Sequence, residues 1–240
     1  MDFKTFQRGY WDFYIELEER MSGSKKYVAF DSDNLNAFSS NYLMLFQSVC
    51  SEIDVVGKEI ATYFNPVFEK EKGTKPINRW WFEIQDCLPN LNREIVFSGS
   101  IHITPWEGFR VVRVESTRFV NGKEINVVNF NLEKDNHTPE WWTAYNKVKH
   151  KRLKEEDGGI NYKKANLSNL VNAFAALYML EFDFMKEIGT LEQRIMCEPS
   201  VLFGMGDLDR HIISRFYTSS DITDETDEIQ SLVGLRGKVH

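Results

Sequence analysis

The chain has 240 residues, a formal net charge of −7 at neutral pH and a mean hydropathy of −0.41, values that are ordinary for a soluble globular protein. Its acidic balance argues against a protein that coats nucleic acid over its whole surface. It has no apolar run long enough for a transmembrane helix, and its three cysteines are too widely spaced for a disulfide framework. We do not expect its first residues to act as a secretory signal peptide, because acidic and aromatic residues occur throughout them. We therefore expect a cytoplasmic protein that does not associate with membranes.

The first part of the chain has the hydrophobic period of α-helices. Apolar residues recur every three or four positions over residues 2–21 and again from Leu35 to Tyr63, and this period is typical of a helix with one buried face. Asp33 is the expected N-cap of the second, long helix. A shorter helix is expected over residues 78–88.

The hydrophobic period changes to two between residues 94 and 132, which indicates β-strands. The dipeptide Asn121-Gly122 separates two runs rich in β-branched residues, and both of its residues tolerate the positive φ of a tight turn. We therefore predict a small three-stranded antiparallel insertion over residues 94–132.

Helical patterns return after Pro139, with Thr138 as the expected N-cap. A further helix over residues 165–186 has so little polar surface that it should be the buried centre of the protein. The sequence thus predicts a mainly α fold, an up-and-down helical bundle that carries the β insertion. Since no linker divides the chain, we expect one helical domain over residues 1–218, followed by an acidic and flexible C-terminal tail at 219–240.

The most distinctive sequence is WWTAYNKVKHKR at residues 141–152. On a helix Asn146 and His150 are four positions apart and share a face. Five basic residues crowd the same stretch: Lys147, Lys149, Lys151, Arg152 and Lys154. A neutral imidazole in this setting can act as the base that cleavage at a ribose 2′-hydroxyl requires. The alternative interpretation is a solvated charged face with a structural histidine.

This stretch, followed by the asparagine-studded ANLSNLVNAFAALYMLE, resembles the HEPN superfamily of prokaryotic defence, toxin–antitoxin and RNA-processing proteins. Many members are helical bundles that act as homodimeric, metal-independent endoribonucleases. The resemblance implies that His150 is the catalytic base and Asn146 a polar positioning residue, and that no metal or cofactor is required. It also implies that the substrate is RNA, contacted by Lys147, Lys149 and Arg152. A cognate antitoxin or defence protein is the expected partner.

The resemblance extends to the long helix, which would pair with the motif helix and carries acids at Glu52 and Asp54. It departs from the family at Tyr145, which occupies the position of the family arginine. That arginine is thought to stabilise negative charge on the scissile phosphate, which a tyrosine cannot do as a cation. Two functions therefore remain open. One is an endoribonuclease in which Tyr145 contacts the substrate, and the other is a non-catalytic HEPN-like interaction or scaffold protein.

Overall fold

The computed structural model describes residues 1–203, apart from residues 121 and 157. The predicted acidic tail at 219–240 lies outside the described residues. The fold is mainly α, as predicted, with short antiparallel β-hairpins inserted between the helices. In the described part of the chain, no helix is both long and apolar enough to cross a membrane.

The N-terminal region forms the predicted helix, in three consecutive segments: α1 (Phe3–Phe6), a π-helical turn (Gln7–Trp11) and α2 (Asp12–Gly23). The carboxylate of Asp2 caps its start by accepting the backbone N–H of Thr5 at 3.1 Å. Most of the predicted apolar stripe is buried against the rest of the protein: Phe3, Phe6, Tyr14, Leu17 and Met21. Tyr10 is partly buried, Phe13 is 39% exposed, and Trp11 is buried beside the stripe.

The long helix α3 spans Ser40–Phe64 and is capped by Ser39, whose hydroxyl accepts the N–H of Tyr42 at 3.1 Å. The predicted start at Leu35 with Asp33 as its cap is therefore wrong. The backbone carbonyls of residues 35 and 37 accept hydrogen bonds of 2.9 and 2.8 Å from residues 168 and 167. These long-range bonds keep the preceding segment out of the helix.

Two shorter helices follow, α4 (Pro66–Lys70) and α5 (Ile77–Ile84). The second ends earlier than the predicted residue 88. It packs against α3 and buries Trp80 and Trp81, which are 0% and 1% exposed. The tryptophans of this segment therefore belong to the core.

The β insertion consists of two separate hairpins, β1–β2 (Ile95–Phe97 with Ile101–Ile103) and β3–β4 (Val111–Val120 with Lys123–Leu132). The prediction of one three-stranded sheet is wrong, because strands β2 and β3 do not pair. Between them Trp106 is fully buried, and its indole N–H donates to the carbonyl of Ala176 at 3.3 Å. The chain therefore enters the core at this point and the two hairpins are separated.

The motif helix α6 spans Glu140–Lys151. Pro139 is its N-cap residue and no side chain caps it, so the predicted cap at Thr138 is wrong. The charged segment after it forms a minimal antiparallel hairpin of β5 (Glu155–Glu156) and β6 (Gly159–Ile160).

Helix α7 (Leu167–Ile188) is the buried central helix that the sequence predicts, and a short α8 (Leu191–Ile195) follows. Asn166 caps α7 by accepting the N–H of Asn169 at 3.0 Å. All residues from 173 to 185 are buried. Helices α3 and α6 pack against α7 and against each other, which places the motif helix beside the long helix.

A buried carboxylate attaches the last described segment to α2. Glu18 is 2% exposed and accepts hydrogen bonds from the hydroxyl of Tyr14 at 2.7 Å and from the hydroxyl of Ser200. It also accepts the backbone N–H groups of Val201 and Leu202 at 2.8 and 3.3 Å. This carboxylate therefore ties the C-terminal end of the described chain to the N-terminal helix.

Candidate functional site

A groove of about 980 Å³ lies between α3 and α6, and residues 73–77 and Glu156 complete its walls. Most of the residues that the motif predicts line it together: Tyr145, Asn146, Lys147, Lys149 and His150. Arg152 is not among the lining residues; it is exposed at the C-cap of α6. The helical spacing of the motif therefore places the predicted residues in one concavity, with Arg152 outside it.

Asn146 and His150 lie one turn apart on α6, and both side chains are exposed in the groove. The imidazole of His150 forms no hydrogen bond or ion pair with any residue in the described part of the chain. The ring is therefore accessible to a ligand, and its two nitrogens can accept or donate a proton.

Tyr145 has a different environment from its neighbours, because its side chain is only 5% exposed. Its ring lies 5.2 Å from that of Trp142 and 6.1 Å from that of Phe46 of α3. Burial raises the pKa of the Tyr145 phenol, and the hydrogen bond from Lys149 opposes this rise. The Lys149 ammonium lies 5.2 Å from the centre of the ring. Tyr145 is thus a neutral wall of the groove that supports Lys149.

The positive charge of the motif is partly compensated. Glu156 of β5 lies 3.6 Å from the ammonium of Lys147 and 2.6 Å from that of Lys154. The hydrogen bond from Lys154 is the main reason why the pKa of Glu156 is lowered. Lys149 and Lys151 lie further along the same groove and are exposed. The groove retains excess positive charge in an acidic protein, although less than the sequence alone indicates.

Helix α3 contributes residues that the motif does not contain. Asp54 and Lys58 line the groove from this helix, and Lys75 does so from residues 73–77. Of the two acids noted in the sequence, only Asp54 lines the groove. Glu52 lies near the buried Glu181 of α7, and burial raises its pKa. Asp54 and Lys58 are four positions apart in the sequence, and this spacing indicates that the two side chains share a helix face.

A close helix contact fixes the position of Asp54. Gly57 has no Cβ, and an added Cβ would meet the Trp80 ring at 2.7 Å, so the indole lies directly on α3. The indole N–H donates to Oδ1 of Asp54 at 3.1 Å, and Oδ2 accepts from Lys58 at 2.5 Å. The carboxylate is therefore held between a buried indole and an ammonium at the edge of the groove.

Comparisons with protein families, curated proteins and solved structures find no match to this chain. Within the described residues, no three His, Cys, Asp or Glu side chains come together in a group that could hold a metal ion. The case for a function therefore rests on the residues of the groove and on the motif.

Proposed function

We propose that the groove binds RNA and that the protein is a HEPN-like, metal-independent endoribonuclease of a prokaryotic defence or toxin–antitoxin system. One observation carries this proposal. The exposed Asn146 and His150 lie one helical turn apart in a groove whose walls also supply lysines from α3, α6 and residues 73–77. Such lysines attract the phosphate backbone, and an accessible imidazole is suited to proton transfer at a ribose.

The chemistry would proceed by transesterification within the RNA strand. His150 takes the proton of a 2′-hydroxyl, whose oxygen attacks the adjacent phosphorus as the bond to the 5′-oxygen breaks. The products are a 2′,3′-cyclic phosphate and a 5′-hydroxyl, and the leaving oxygen takes a proton from solvent or from a second histidine. The Asn146 amide donates a hydrogen bond to a phosphate oxygen and positions it. The expected homodimer would bring a second His150 to the site.

The test is cleavage of structured and single-stranded RNA in EDTA by the parent, His150→Ala and His102→Ala proteins. His102 is the matched control, because its ring is exposed, outside the groove and bound to Glu94 at 2.7 Å. Loss of a general base costs about 10²- to 10⁴-fold in rate, so we expect His150→Ala to fall by that factor and His102→Ala to match the parent. Equal cleavage by His150→Ala and the parent would exclude this mechanism.

The second candidate function is a non-catalytic interaction or scaffold protein of the same type, which binds a partner protein or nucleic acid. Two features favour it: Tyr145 places no cation at the arginine position, and the β3–β4 ribbon exposes apolar side chains. Phe119 is 76% exposed, and Val114, Ile125 and Val128 are about 40% exposed on the same ribbon. A stable complex with a partner and no RNA cleavage would support this alternative. Monomeric behaviour with neither RNA binding nor a partner would remove its basis.

A further inference from the structure

We propose that Lys58 of α3 is the cation that contacts the substrate phosphate in this groove, in place of the arginine that is missing at Tyr145. The proposal rests on the function proposed above and names a residue that lies far from the motif in sequence. It assigns Asp54 as a positioning residue that acts through Lys58.

Helix α6 supplies no cation at the motif position. Tyr145 is buried between Trp142 and Phe46, and its phenol stays neutral. Lys149, one turn further on, lies over the Tyr145 ring. The motif position itself therefore supplies no cation, and the α3 wall of the groove supplies one at Lys58.

Lys58 is oriented by a rigid support. Its ammonium binds Asp54, and the other oxygen of that carboxylate binds the indole N–H of Trp80. Trp80 is fully buried and lies on Gly57, one residue before Lys58. An ammonium has three N–H donors, so the bond to Asp54 leaves two for a ligand in the groove. A donor that is already in place costs little reorganisation when charge develops on a phosphate.

The other lysines of the groove contact other groups, and Lys149 lies over the ring of Tyr145. Lys147 lies beside Glu156 of the short β5 strand. Lys75 donates to the carbonyl of Glu69 at 2.9 Å and lies 4.8 Å from the ring of Phe68. These lysines add to the long-range attraction of RNA. Lys58 projects from a 25-residue helix, and its partner Asp54 is also bound by the buried indole of Trp80.

Asp54 has two opposing effects on an anionic ligand. Its negative charge repels the phosphate, and its hydrogen bond holds the Lys58 ammonium in place. Asp54→Asn should therefore bind RNA several-fold more tightly and yet cleave it more slowly. A purely structural role for Asp54 would not produce this opposite change in binding and rate.

The experiment compares Lys58→Met, Lys58→Arg and Asp54→Asn with the parent, using single-turnover RNA cleavage and the binding of a non-cleavable 2′-O-methyl RNA of the same sequence. The control variants are Lys25→Met, an exposed lysine outside the groove, and Asp86→Asn, which breaks an exposed ion pair with Arg110. Removing one preorganised donor costs about 10²- to 10³-fold in rate. We expect that loss in Lys58→Met, a smaller loss in Lys58→Arg, and parental behaviour in both controls. Melting temperatures within a few degrees of the parent show that the variants are folded.

The outcomes separate this proposal from the proposed function. If the parent cleaves RNA and Lys58→Met cleaves equally well, the role of Lys58 is refuted and the nuclease stands. If the parent binds RNA without cleaving it and Lys58→Met weakens binding beyond Lys25→Met, the phosphate contact stands and the nuclease fails. If the parent neither binds nor cleaves RNA, both proposals are refuted.

Discussion

The contact between Gly57 and Trp80 can be tested with a single methyl group. In Gly57→Ala the new Cβ would stand 2.7 Å from two carbons of the Trp80 ring, whereas carbon atoms pack at about 3.5–4.0 Å. The ring has little room to move, because Trp80 is fully buried and its neighbours Trp81 and Trp106 lie 6.1 and 6.2 Å away. The substitution therefore has to displace the indole or the helix.

The magnitude follows from three terms. Overpacking costs about 1–3 kcal/mol, and loss of the hydrogen bond from Trp80 to Asp54 costs about 1 kcal/mol. Alanine is more favourable than glycine inside a helix, which stabilises the folded state by about 1 kcal/mol. We expect Gly57→Ala to lower the free energy of unfolding by about 1–3 kcal/mol, which lowers the Tm by about 2–4 °C per kcal/mol in a chain of this length.

Gly23 provides the matched control, because it also has helical backbone angles and an added Cβ would meet nothing within 4 Å. Gly23→Ala should raise stability by about 0.4–1 kcal/mol, since it reduces the entropy of the unfolded chain. The assay is thermal and urea unfolding of both variants beside the parent. Shifts of the same sign in Gly57→Ala and Gly23→Ala would refute the close contact, and with it the support that positions Asp54.

Three further variants test the buried polar groups. Burial, and to a smaller extent the charge of Glu52, raises the pKa of Glu181 well above 4.5. Above pH 4.5 the folded state therefore keeps a proton that the unfolded chain loses, and the free energy of unfolding falls as the pH rises. Glu181→Gln should therefore raise the Tm at pH 8 and leave it nearly unchanged at pH 4. The control is the exposed Glu19→Gln. A pH-independent change in Tm, or a change equal to that of the control, would contradict this reasoning. Glu18→Ala leaves two hydroxyls and two backbone amides without the Glu18 acceptor. It should lower the free energy of unfolding in urea by at least about 2 kcal/mol. A decrease no larger than that of Glu19→Ala would argue against the role of Glu18. Tyr145→Arg buries a charge in an aromatic site and should lower the Tm without raising RNA cleavage, whereas faster cleavage in this variant would contradict the assignment of Lys58.

The hydrophobic period predicts a helix well where the residues of that helix alone determine its position and burial. Helix α7 was predicted as the buried centre because its own residues leave little polar surface, and the structure confirms this. The predicted start of α3 was wrong because Asp33 is a good cap locally, whereas backbone bonds from residues 167 and 168 keep the preceding segment out of the helix. Such a long-range competition has no local signature.

Local sequence patterns also fail to predict how the strands pair. Alternation of apolar residues correctly indicated β-structure between 94 and 132, but it does not specify which strands pair. Trp106 is buried in the core between the two hairpins, and β2 and β3 do not pair.

At the groove, the spacing of Asn146 and His150 was sufficient to place both side chains on one face. The contributions of Lys58 and residues 73–77 depend on how α3, α5 and α6 pack together. No pattern within a single segment predicts that packing.

The central claim is that RNA binds in the groove beside His150, and the most direct measurement is histidine NMR during RNA binding. The chain has five histidines, and single His→Gln variants assign their ring signals. Titration with a 2′-O-methyl RNA should shift the His150 signals and leave those of His102, outside the groove, in place. Unchanged His150 signals at saturating RNA, or equal shifts at His102, would contradict the account.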